Sequence, residues 1–154
     1  GSFAKTLTPA LALGYLIVPP ALRDRVADLC LPTSGLVQDA VARYMEAGGL
    51  RRHTARMRKE YRARRAAFID LFPEGVPMEG GLHAVVPLRA DADEDRVVAR
   101  CRARGLGVTG MADYWSARRP RTPGIVLGLG TGSLDRLRER LAVLRRTIEE
   151  GQGL

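Results

Sequence analysis

The stretch Gly1-Ser2-Phe3-Ala4-Lys5-Thr6-Leu7-Thr8-Pro9-Ala10-Leu11-Ala12-Leu13-Gly14-Tyr15 contains a single charged side chain, Lys5. Lys5 stays alone out to Leu22, and Lys59 is the only other lysine among the 25 Lys and Arg residues. An ammonium in an apolar setting punctuated by Gly and Pro is disfavoured in its charged form, which predicts a lowered pKa. A neutral amine is what condensation with an aldehyde requires. A second reading has the lysine stem packing while its head reaches water, and position alone favours that one.

Working outward, 154 residues at 45% hydrophobic suit one globular domain and exclude collagen-like, disulfide-rich and disordered classes. No run reaches the ~18 apolar residues of a membrane span, and no basic segment precedes an apolar run as a secretory signal would require. Cys30 and Cys101 are too few for a disulfide framework, so a cytoplasmic location is expected. The first residue is Gly rather than Met, and the chain reads as a piece of a longer protein.

The net charge of +8 is concentrated in one segment. Arg51, Arg52, Arg56, Arg58, Lys59, Arg62, Arg64 and Arg65 face only Glu60 between Leu50 and Arg65. Leu50, Met57, Tyr61, Phe68 and Leu71 recur there at helical spacing, predicting a long helix with a narrow buried seam. A solvated basic face explains the charge. Binding to nucleic-acid phosphates is the alternative, though no aromatic residues are interleaved for base stacking.

The remaining pattern alternates between strands and helices. Leu13 to Val18 reads as a buried strand closed by Pro19-Pro20, with a short helix following from Pro20 through Leu22, Val26 and Leu29. Leu36, Val37, Ala40, Val41, Tyr44 and Met45 predict an amphipathic helix ended by Gly48-Gly49. Beyond Pro73-Glu74-Gly75, Gly80-Gly81 introduces a strand over Leu82 to Leu88. Asp93 caps a helix that Gly105 stops. Further strands are expected over Leu106 to Thr109 and Ile125 to Leu129, and Ser133 caps a last helix with Leu134, Leu137, Leu141, Leu144 and Ile148 on one stripe. The class is α/β.

The opening motif resembles the cofactor-lysine motif of fold-type-I pyridoxal-phosphate enzymes: Ser/Thr-x-x-Lys, then Pro, then Arg before a hydrophobic residue and Gly. The resemblance implies that Lys5 bonds covalently to pyridoxal 5′-phosphate and acts catalytically, with Ser2 helping to hold the phosphate. It departs at Ala12, where the family's phosphate-pairing Arg stands. Further along, Val37-Gln38, Gly48-Gly49-Leu50-Arg51-Arg52-His53, Arg56-Met57-Arg58, Tyr61-Arg62, Arg64-Arg65, Gly80-Gly81-Leu82-His83, Gly105-Leu106-Gly107-Val108 and Leu127-Gly128-Leu129-Gly130 resemble one subgroup. This is the aminotransferase-like domain of MocR-type regulators, GntR-family transcription factors that join a winged helix-turn-helix to an aminotransferase fold.

The resemblance implies the end of a fold-type-I large lobe over 1–49, a connecting basic helix over 50–72 and a small C-terminal α/β lobe over 73–154, with three strands and two helices. It implies an effector-sensing, pyridoxal-phosphate-dependent domain in a cytoplasmic homodimer, with an amino-acid or pyridoxal-type effector. DNA would be bound through a domain outside this chain, and no membrane is involved. A class I/II aminotransferase acting on amino acids is the alternative. In the family, the Asp that pairs with the pyridine nitrogen and the aromatic that stacks on the ring lie upstream of the lysine. The substrate-carboxylate Arg would fall near Ile125–Val126, where none stands. Tyr114, beside Trp115, and the out-of-register Arg118, Arg119 and Arg121 are the candidates for effector contact.

Other motifs carry less. Gly128-x-Gly130-x-Gly132 lacks dinucleotide-binding spacing. His53 and His83, 30 residues apart without Cys or carboxylate at ligand spacing, predict no metal site and are assigned structural roles. No G-x-S-x-G elbow supports a hydrolase.

Overall fold

The structure, a computed structural model, describes residues 1–77, 82–115 and 122–151. The chain divides into two compact units, Gly1–Arg58 and Lys59–Leu154. The division falls within the 23-residue helix Gly49–Leu71.

The first unit is built from short elements. Helix α1 (Phe3–Thr6) is one turn, and 3-10 turns cover Pro9–Leu11 and Pro20–Leu22. Helices α2 (Arg23–Ala27) and α3 (Gly35–Glu46) follow, and α4 (Gly49–Leu71) begins directly after the turn at Gly48. The strand expected over Leu13 to Val18 is absent. Only an isolated antiparallel bridge, Ser2 with Gly14, forms there, and Leu16 and Ile17 are 72% and 91% exposed. A strand needs a neighbour for its N–H and C=O groups. Within this unit the only antiparallel partner is the single residue Ser2, and Pro19-Pro20 offers no N–H to continue a ladder. The short helix expected from Pro20 likewise closes at Ala27, leaving Leu29 exposed.

The second unit holds a four-stranded antiparallel sheet, β1 (Val76–Pro77), β2 (His83–Pro87), β3 (Val108–Gly110) and β4 (Gly124–Gly128), in the order β1-β2-β4-β3. Strand β1 adds to the three expected strands. Two residues ending in proline are too short for a period-two signal.

Register assigns the faces. Ala84 pairs with Leu127 and Val86 with Ile125, while Val108 also pairs with Leu127. These residues share a face and join one buried cluster with Val97 and Cys101 of α5 (Glu94–Ala103), Leu137, Leu141, Leu144 and Ile148 of α6 (Leu134–Gly151), and Phe68 and Phe72. Each fully buried Leu, Ile or Phe contributes about 1.5–3 kcal/mol. Successive strand residues face opposite ways, so Val85, Val126 and Thr109, paired through Val126, occupy the other face.

Capping follows the sequence. The Asp93 carboxylate accepts from the Arg96 N–H at 3.0 Å, and the Ser133 hydroxyl accepts from the Arg136 N–H at 3.2 Å. Gly105, at φ +72°, ends α5 in the left-handed conformation that a side chain would resist. The last carbonyls of a helix lack intrahelical partners, and α5 supplies them for α6: Arg96 donates to Gly151 O at 3.2 Å and Arg100 to Glu150 O at 3.1 Å.

One cation of the basic helix is buried. Arg64, 6% exposed, donates from Nη1 to Leu129 O at 2.9 Å, from Nη2 to Gly132 O at 2.6 Å and from Nε to Glu60 Oε1 at 2.9 Å. It thereby ties α4 to the segment leaving β4. Arg64→Met should lower stability by about 1–3 kcal/mol, because it orphans the buried Leu129 carbonyl; a urea midpoint equal to wild type would refute this. Cys101 is fully buried, and burial pushes its thiol pKa up. Thiol alkylation in native buffer should therefore label the exposed Cys30 and spare Cys101 until the protein unfolds.

Candidate functional site

The opening motif folds back on itself. Phe3 N donates to Leu13 O and Tyr15 N to Gly1 O, both at 2.9 Å, and the Phe3 and Tyr15 rings lie 5.5 Å apart. The reversal occurs at Ala12, which adopts the left-handed conformation (φ 46°, ψ 32°) after the Pro9–Leu11 turn. Thr8 starts that turn, its hydroxyl accepting from Ala10 N at 3.4 Å. Ala is the sole non-glycine residue at positive φ among the described residues, and this conformation costs about 1–2 kcal/mol.

Ser2 is the N-cap of α1, in extended conformation, and its hydroxyl makes no capping bond. Its carbonyl instead accepts from the Thr6 hydroxyl at 3.1 Å. Lys5 sits three residues on, so the Ser2 hydroxyl and the Lys5 amine belong to one side of a single turn. Both residues are exposed. The apolar enclosure expected around Lys5 is not built by the residues of its own unit, because the apolar side chains that follow, Leu16 and Ile17, point to solvent.

This donor set fits an aldehyde-and-phosphate cofactor in its two essential groups, a primary amine and a free hydroxyl one turn apart. It has no cation at Ala12, where the resembling motif carries an Arg able to make a charge-assisted contact. Among the described residues, no cluster of three or more His, Cys, Asp or Glu could hold a metal ion.

The effector candidates belong to the second unit. Tyr114 ends the 3-10 turn Met111–Tyr114 and is 62% exposed. Arg118, Arg119 and Arg121 lie outside the described residues. Both stems of the segment between Tyr114 and β4 are held by a residue that sequence reasoning missed, Glu94. Its Oε1 accepts from Ala112 N at 2.9 Å and its Oε2 from Gly124 N at 2.7 Å. Gly110 makes room for this carboxylate, since a Cβ there would lie 2.2 Å from Oε1. Trp115 closes the base by donating from Nε1 to Thr122 O at 3.3 Å. In sequence Glu94 looks like an ordinary acid in the first turn of a helix, and only the pairing of β4 brings Gly124 to it.

No family model matches the chain. Over 160 residues it is 37% identical to the HTH-type pyridoxine biosynthesis transcriptional regulator PdxR of Corynebacterium glutamicum, covering 98% of this chain and 35% of that protein. It is 39% identical over 75 residues to the probable rhizopine catabolism regulatory protein MocR of Rhizobium meliloti, covering 46% of this chain and 15% of that protein. This chain is an aminotransferase-like region of the MocR type. Among solved structures it superposes on the multiple substrate aminotransferase of Thermococcus profundus with TM-score 0.79 and 25% identity, over 99% of this chain and 40% of that one. The fold is therefore that of fold-type-I aminotransferases. The chain spans about a third of the curated regulator it matches over its length.

Replacing Glu94 tests the two-stem clamp. Glu94→Ala should cost about 2–3 kcal/mol by leaving two backbone N–H groups without their charged acceptor, and Glu94→Gln, which retains one acceptor oxygen, should cost less. Hydrogen exchange at Ala112 and Gly124 should rise in the Ala variant; unchanged protection there would refute the clamp.

Proposed function

We propose that this chain is the effector-sensing part of a MocR-type, GntR-family transcriptional regulator, with Lys5 bonding pyridoxal 5′-phosphate and Ser2 contacting its phosphate. The observation that carries the reading is the 37% identity to a transcriptional regulator across 98% of the chain. In this reading 1–49 completes a large lobe, 50–72 connects and 73–154 is the small lobe. The intact protein is a cytoplasmic homodimer that binds DNA through a domain outside this chain. Among the described residues no helix is long and apolar enough to cross a membrane.

The cofactor supplies an electrophilic aldehyde and an electron sink. The contribution of this chain is the amine at Lys5, the hydroxyl at Ser2 and the surface that meets the effector. Tyr114, with Arg118, Arg119 and Arg121, is the proposed effector-contacting set.

Aminotransferase activity on amino acids is the second reading, and the superposition on a working aminotransferase supports it. One observation separates the two. An enzyme must hold the substrate carboxylate in a fixed pose, since a misplacement of about 1 Å can cost ~10²-fold in rate. Ile125 and Val126 occupy the place where the resemblance puts the carboxylate Arg, and Val126 faces away from the α5–α6 cluster beside Val85 and Thr109. Sensing demands less, because a ligand need only favour one conformation over another.

In the intact protein, amino-acid ligands should change DNA affinity or oligomeric state while transamination stays negligible; multiple-turnover keto-acid formation lost in Lys5→Ala would decide for the enzyme. Ala12→Arg should tighten pyridoxal-phosphate binding about 10- to 100-fold, the worth of one charge-assisted contact, read by titrating the visible absorbance. An unchanged dissociation constant would show that Ala12 does not face the phosphate.

A further inference from the structure

We propose that His53 is a positioning residue for Lys5, acting through the carbonyl of Thr6. The proposal rests on the reading of Lys5 as the cofactor-bonding amine. His53 lies in the second turn of α4, and its Nε2 is 3.0 Å from Thr6 O. A carbonyl only accepts, so Nε2 carries the hydrogen and donates. In the neutral ring Nδ1 is then the acceptor, and Arg56 Nη2 stands 3.3 Å from it. A guanidinium has donors and no acceptor, so the relay runs one way: Arg56 donates to His53, and His53 donates to Thr6. The arrangement selects the Nε2–H tautomer and fixes the plane of the ring, as an outer partner does for a functional histidine.

The tie matters because of what it holds. Thr6 is the last residue of α1, and its carbonyl lies in the Thr6–Leu7 peptide, one residue beyond Lys5. Helix α1 is one turn of four residues, closed by Leu7 N to Phe3 O at 2.8 Å and by the Thr6 hydroxyl bond to Ser2 O. A single turn is far below the length at which a helix holds itself in water, and its terminal carbonyls have no partner within it. Its orientation is therefore set by external contacts. His53 supplies one from a 23-residue helix, a much stiffer support. Since the Lys5 side chain is exposed, the direction in which its Cα–Cβ bond leaves the turn decides where the amine can reach.

The test uses the full-length protein with His53→Leu, which removes the donor, and His53→Gln, which restores an N–H at comparable reach. Two readouts are taken: hydrogen exchange of the α1 amides without cofactor, and the rate at which pyridoxal 5′-phosphate is trapped on Lys5 by borohydride, identified by peptide mass. His53→Leu should raise exchange at Leu7 about three- to tenfold, the effect of one modest hydrogen bond. It should slow trapping on Lys5 about tenfold while exchange along α4 stays at the wild-type level, and His53→Gln should recover both. Trapping on Lys5 that His53→Leu leaves unchanged overturns this proposal alone. Loss of protection along α4 in both variants, without rescue by Gln, also overturns it, because His53 would then be merely structural. No trapping on Lys5 in the wild type overturns the reading of Lys5 and this proposal with it.

Discussion

A guanidinium buried in a protein must have its N–H groups answered, and the answers fix its surroundings in place. Arg64 does this for the second unit. Its donors meet Leu129 O and Gly132 O, which belong to the segment between β4 and α6, and its Nε meets Glu60 one turn back on α4. The Leu129 carbonyl is buried, so without Arg64 it would be an unpaired polar group at a cost of about 1–3 kcal/mol. The same tie sets where α4 delivers Phe68 and Phe72, which stack with ring centroids 5.4 Å apart inside the sheet–helix cluster. One directional polar contact thus determines how a large apolar surface is buried.

The arginine excess is used in this way elsewhere in the unit. Arg96 and Arg100 close the end of α6, Arg102 donates to Val108 O at 3.3 Å, and Arg104 reaches Thr147 Oγ1 at 2.8 Å. Long cationic side chains laid across helix ends satisfy carbonyls that no backbone group can reach, and they complement the negative ends of the helix dipoles. Acids balance these arginines, so the net charge of +8 stays with the segment Leu50–Arg65, where Arg64 is the one buried cation. It says little about a polyanionic partner until the exposed cations Arg51, Arg58 and Arg62 are considered apart from the rest.

What could be read in the sequence was whatever is decided locally. Helices α4, α5 and α6 follow from periodicity over ten or more residues, and their ends from Asp93, Gly105 and Ser133, whose side-chain or backbone chemistry acts within one turn. The strands β2, β3 and β4 were legible for the same reason. Leu13 to Val18 was not, because its apolar run is compatible with a strand while the existence of a strand depends on a partner that sequence spacing cannot show. Arg64 could have been found: it lies three residues after Tyr61 and four before Phe68, in phase with the apolar seam and out of phase with the solvated cations. Glu94 could not, since Gly124 is 30 residues away and arrives through strand pairing. The expected enclosure of Lys5 failed for a related reason, as an apolar neighbourhood along the chain is not one in space.

In the proposed reading, the motif around Lys5 separates what the backbone sets from what the side chains set. The fold-back of Gly1 to Tyr15 depends on a left-handed residue at position 12, and Ala adopts that conformation at a modest cost. The route of the chain here therefore needs no guanidinium at position 12. Ser2 and Lys5 keep their spacing for the same reason, since one turn of helix and its N-cap are enough to place them. At Val126 the strand register is likewise intact while the side chain is aliphatic. Both departures from the resembling family put an aliphatic side chain where its motif has a fixed positive charge. Fixed charges are what turnover requires most, because they must match a transition state to within a fraction of an ångström. Recognition coupled to a conformational change requires only a difference in affinity between two states, which hydroxyls, a reactive amine and apolar surface can provide. The aliphatic residues at positions 12, 125 and 126 are therefore what favours the proposed sensor over the proposed enzyme.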